Sequence, residues 1–158
     1  MKPVLTFLVL VLSIFAGAAM ARDLEPRDGW EVFPTEKTYD QLLTDVKAAV
    51  EASDMGVVTE AGPTEAAAGR GVTIPGNRVI GVFNNEVAVR VLELSTAAMI
   101  EAPIRLYVTE NTDGTATLAY KTPSIVFTAY FEEGGIDLVN LASELDHAFA
   151  AIAVQAVK

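Results

Sequence analysis

Few side chains in this chain have the capacity for covalent chemistry. His147 is its only histidine, and it has no cysteine. Thiol nucleophiles, iron–sulfur clusters and cysteine-ligated zinc are therefore excluded. A Ser-His-Asp set would have to run through His147 alone, and no serine stands in a G-x-S-x-G elbow. His147 lies two positions from Leu145, about 200° round a helix, so it should face away from that helix's apolar stripe. It reads as a solvated or locally bonded imidazole. Its spacing to Met55 or Met99 supports neither a haem ligand nor a copper site. The 21 acidic residues allow many carboxylate pairs. The adjacent pair Glu132-Glu133 nevertheless reads as a solvated loop, and no EF-hand loop is present. We assign no catalytic residues and no metal ligands, and we name no cofactor.

Four polar residues remain as candidate ligand-binding groups: Asn84, Asn85, Arg105 and Tyr120. Asn84 and Asn85 stand where a buried strand turns into a helix. Unpaired N–H groups and partial positive charge at such an end suit an anion or a carbonyl. Glu86 opposes this reading, because it already places negative charge in the first turn. Arg105 is opposite in parity to Ile104, Leu106 and Val108, so it leaves the face that they cover. Tyr120 shares parity with Leu118 and should bring its hydroxyl to the rim of the core. The competing reading is plainer: the asparagines cap, Arg105 is solvated and Tyr120 packs.

The elements that must position these residues follow from periodicity. The stretch GNRVIGVFNNEVAVRVLEL, residues 76–94, reads as a strand, an Asn-Asn turn and an amphipathic helix. Val79, Ile80, Val82 and Phe83 leave no polar face, so this strand is expected to be covered on both sides. Residues 103–110 and 115–122 alternate apolar and polar residues around Asp113-Gly114, a hairpin bracketed by Pro103 and Pro123. Thr38 with Gln41 forms a capping-box pattern opening a helix over 38–53. Further helices are expected at 85–95 and at 137–156, the last capped by Asp137. Strands are expected at 56–60 and 78–83, with 30–34 at an edge that includes Trp30, the only tryptophan. The glycine-rich stretch 61–71 fits neither phosphate-loop spacing and reads as a mobile loop with one helical turn at 65–68. The fold class read from these elements is α+β, a mostly antiparallel sheet of four to five strands with helices packed on it.

The chain begins with Lys2, an apolar run from Val4 to Ala18 and the triplet Ala19-Met20-Ala21, the three parts of a secretory signal peptide. Cleavage after Ala21 is expected, with a retained anchor as the alternative, and the periplasm is the expected destination. Residues 22–29 then form a flexible lead-in and 30–157 a single domain. Removing residues 1–21 takes away Lys2, which leaves 10 basic against 21 acidic side chains, a formal charge of −11. That balance argues against nucleic acid and against anionic membrane surfaces as partners.

The ordered set Phe83-Asn84-Asn85, Ala102 to Val108, Asp113-Gly114 and Tyr120-Lys121-Thr122-Pro123 resembles the domain of unknown function 302 family. The resemblance covers about 33–152. Glu86, Asn84 and Ala102 depart from residues common in the family (Pro, Gly and Leu). The resemblance implies a single α+β domain, often paired as a homodimer, with no established biochemical activity. It also implies a short helix or irregular turn at 124–131, where the β-branched and aromatic content alone favours a strand. The functional expectation is an exported, non-enzymatic domain that binds a small ligand or partner as a dimer. The alternative is a periplasmic enzyme using carboxylate, Tyr and Arg side chains.

Overall fold

The structure is a computed structural model and describes residues 23–158. The signal-peptide reading falls on residues outside that range. Five antiparallel strands form one sheet: β1 (Trp30–Pro34), β2 (Gly56–Ala61), β3 (Asn77–Phe83), β4 (Ile104–Glu110) and β5 (Ala116–Lys121). Their order across the sheet is β1-β5-β4-β3-β2. The helices are α1 (Tyr39–Glu51), α2 (Thr64–Ala68), α3 (Asn85–Leu94), α4 (Pro123–Phe127) and α5 (Phe131–Ala156). Short 3-10 turns lie at Ala98–Glu101 and Thr128–Tyr130. The fold class read from the sequence is the one observed.

Strand parity decides which face is covered. Ile80 pairs with Leu106 and Val82 with Ile104, while Val108 pairs with Leu118 and Leu106 with Tyr120. These side chains are buried together with Leu42, Val46 and Val50 of α1 and Leu138, Leu141, Leu145, Phe149 and Ile152 of α5. Helix periodicity gives α1 and α5 the matching apolar stripes. The opposite parity, Trp30, Val32, Val79, Arg105, Tyr107 and Lys121, lies on the other face of the sheet.

This corrects the expectation that β3 is covered on both sides. Ile80 and Val82 are buried under the helices, but Val79 and Phe83 are only half-buried. An antiparallel sheet commonly packs its helices on one face and leaves the other more open. At Gly81 that second face is closed by Thr59 and by Pro103, which follows a cis peptide bond.

Local signals explain most element ends. The Thr38 side chain accepts from the Gln41 N–H at 3.4 Å, but the Gln41 amide donates to Asp45 at 2.9 Å, so the capping box is half formed. Thr122 caps α4, with Pro123 in its first turn, so the ambiguous stretch after β5 is helical and then a 3-10 turn. A break at Gly135, whose φ of +63° suits glycine, separates a short turn over 131–134 from the long helix expected over 137–156, and Asp137 stands at the start of that second part. The lead-in is tied at both ends. The Asp23 carboxylate accepts from the Thr112 N–H at 2.8 Å, and the Thr122 N–H donates to the Gly29 carbonyl at 3.0 Å. Residues 23–29 thus run between the two ends of β5.

Candidate functional site

The face of the sheet away from the helices carries a groove of two adjoining cavities, about 440 Å³ and 320 Å³. Both are lined by Trp30, Glu101, Arg105, Lys121 and Val126. The larger one adds Asn77, Val79, Ile104 and Tyr107. Strand register brings these residues together: Trp30 lies opposite Lys121, and Val79 opposite Tyr107. The floor is mostly apolar. Its one internal polar contact is satisfied, because the Asn77 amide donates to the Tyr107 hydroxyl at 2.6 Å.

Charge at the groove is unusual for so acidic a chain. Leaving out Lys2 and Arg22, nine basic side chains fall within the described residues. Lys37, Lys47, Arg78 and Arg90 pair with Asp45, Glu60, Glu65 and Glu144. Arg105 and Lys121 form no ion pair among the described residues and are exposed. The Lys121 ammonium sits 5.9 Å and the Arg27 guanidinium 5.2 Å from the centroid of the Trp30 ring, within cation–π range. Two carboxylates accompany them, Asp28 in the smaller cavity and Glu101 in both. Glu101 is already engaged: it accepts the Tyr130 hydroxyl at 2.8 Å, which holds that phenol's pKa above its ordinary value.

Of the four residues singled out from the sequence, Arg105 and Tyr120 border this groove. Tyr120 does so only marginally. It is 2% exposed, with its ring 6.2 Å from Phe33 and 5.6 Å from Phe149. Burial first, then the charges of Glu31 and Asp146, pushes its pKa up to about 12. The folded state therefore keeps a proton that the unfolded chain loses near pH 10. That stability is intact below pH 10 and is lost as pH rises toward 12. A Tyr120→Phe variant, which keeps the aromatic packing, is expected to show a shallower fall in melting temperature than wild type between pH 9.5 and 11.5. Melting followed by circular dichroism across that range checks it.

Asn84 and Asn85 are not brought to this groove. The Asn84 side-chain Oδ1 accepts from the Val87 N–H at 3.0 Å, and its Nδ2 donates to the Asp54 backbone carbonyl at 2.6 Å. Asn84 is thus the N-cap of α3, and Asn85 is the first helical residue. Beside Asn84 lies a second depression among the helices, also lined by Asp54, Glu86, Arg90 and Glu144. Its only cation pairs with Glu144 at 2.9 Å, so the local field is unfavourable to an anion. Replacing Asn84 by alanine should cost about 1 kcal/mol through loss of the cap. Thermal melts of the variant test this. His147 is exposed, with Nδ1 2.8 Å from the Ser143 carbonyl, as a locally bonded histidine.

Sequence reasoning missed Lys121 and Glu101 and placed Trp30 only in an edge strand. Lys121 carried a usable signal, since it alternates with Tyr120 and so shares the face of Arg105. The pairing of Trp30 with Lys121 joins segments about ninety residues apart and left no local trace.

Comparison with known proteins places the chain. No curated protein matches it. Among solved structures it is similar to that of an uncharacterized conserved DUF302 protein from Bacillus stearothermophilus. The TM-score is 0.72 at 16% identity, covering 82% of this chain and 99% of the other. At that identity the likeness speaks to the fold. The family model described as domain of unknown function DUF302 matches residues 32–152, three quarters of the chain and nearly all of the sheet and helices just described. The protein belongs to the DUF302 family.

Proposed function

We propose that this protein is a non-enzymatic binding domain that holds a small ligand in the groove on the helix-free face of the sheet. The supporting observation is the placement of Arg105 and Lys121, two cations without ion-pair partners among the described residues, beside Trp30 over an apolar floor. A concave, largely apolar site with a few convergent polar groups is the usual form of a small-molecule pocket.

Ligand binding to the native state alone raises stability with the logarithm of one plus the ligand concentration over Kd. A thermal-shift screen of small metabolites, including anions, should therefore yield a hit whose shift is lost in Trp30→Ala and kept in Asn84→Ala. A hit with the reverse pattern would move the site to the depression among the helices.

Export and dimerisation belong to the same reading. Export rests on the sequence of residues 1–21, and the N-terminus of protein from its native host is expected at Arg22 by mass spectrometry. An intact Met1 in the membrane fraction would contradict it. Dimerisation is supported by exposed apolar side chains: Val89 at 56% and Leu92 at 48% on one face of α3, with Ile100 at 79% on the 3-10 turn packed beside α3. Sedimentation should give twice the chain mass, reduced to one chain by Leu92→Glu.

A further inference from the structure

We propose, resting on the groove as the binding site, that its ligand is a small amphiphile with a single negative charge. Its carboxylate head is held by Arg105 and Lys121, and its apolar body lies along Val79, Ile104, Tyr107 and Trp30. The argument begins with which polar groups remain unspent. Asn77 and Tyr107 bond to each other, and Glu101 accepts from Tyr130. The groove floor therefore asks for apolar surface. Among the described residues Arg105 and Lys121 form no ion pair, although Asp28 and Glu101 line the same cavities. A guanidinium presents a planar fork that matches a carboxylate with two parallel bonds.

The sign and size of the ligand charge follow from the surroundings. Arg27, Arg105 and Lys121 stand against Asp28 and Glu101, leaving one net positive charge around Trp30. A monoanion balances that charge. A dianion would be left with an uncompensated charge in a protein whose formal net charge is already −10. A neutral molecule would leave both cations unpaired, and a cation would be repelled by them.

Trp30 is the only tryptophan, so its fluorescence reports on the groove directly. The test titrates the full exported chain with octanoate, octanol, octylammonium and octyl phosphate, each below its micelle-forming concentration. Octanoate is expected to give a saturable change and to bind at least tenfold more tightly than octanol, octylammonium or octyl phosphate. The preference should shrink as salt is raised. Arg105→Gln and Lys121→Gln, both at exposed positions, should each lower the ratio of octanoate to octanol affinity. Octanol or octylammonium binding as tightly as octanoate would overturn the monoanion and leave the groove standing as a site. Octyl phosphate binding more tightly would replace the monoanion with a dianion and overturn the charge argument. Saturable binding by none of the four, at Trp30 or in melting temperature, would overturn both this inference and the groove reading.

Discussion

Replacing Phe149 by alanine is expected to remove about 3–5 kcal/mol of stability. Phe149 is 1% exposed, lies on the buried stripe of α5 and meets the Tyr120 ring at 5.6 Å with the planes tilted by 55°. Truncation removes the transfer energy of the ring. It also leaves a hole between α5 and the sheet that neighbours on two different elements cannot close together. A domain of this size has roughly 5–15 kcal/mol in total, so the loss is a large share of it. Tyr120 would lose one of its two aromatic neighbours, and its alkaline transition should move back toward pH 10. Urea denaturation at neutral pH measures the first effect, and a melting series at high pH the second. A loss below about 1 kcal/mol would mean that α5 is not packed on β5 as described.

A Gly81→Val substitution should be costly for the opposite reason. Gly81 lies on the helix-free face of β3. A Cβ there would press into the Thr59 hydroxyl and come within 2.8 Å of the Pro103 ring. Those neighbours belong to flanking strand β2 and to the entry of β4, so both edges of β3 must give way. Overpacking of this kind costs about 1–3 kcal/mol. Pro103 directly precedes Ile104 and Arg105, so the same shift disturbs the groove. The variant should therefore lose both melting temperature and affinity for any groove ligand. Unchanged melting with unchanged affinity would show that the space at Gly81 is open.

These two positions also show how far the sequence could be read. The stripe containing Phe149 was legible, because periodicity along one helix is local information. The β4–β5 hairpin was legible for the same reason, through alternation on either side of Asp113-Gly114. Parity alone placed Arg105 outside the core and the Tyr120 hydroxyl at its rim. The order of strands was not legible, because the pairing of β1 with β5 and of β3 with β4 is set by long-range packing. Hence the groove, built from four strands, a 3-10 turn and α4, could not be assembled in advance. The asparagine cap at Asn84 was recognisable as a cap. Its separation from Arg105 by the thickness of the sheet was not. The run from Val79 to Phe83 misled for a physical reason: an unbroken apolar strand signals two covered faces in a parallel sheet. Here Val79 instead forms part of an open groove wall.

The central claim is that the helix-free face of the sheet is the binding surface. Its most direct test is backbone and indole amide NMR of the 15N-labelled protein, titrated with octanoate. The account predicts that the largest shift changes fall on the Trp30 indole and on the amides of Val79, Arg105, Tyr107 and Lys121, with Asn84, Glu86 and Arg90 unmoved. Changes centred on Asp54, Asn84, Glu86 and Arg90 would contradict it and place binding among the helices.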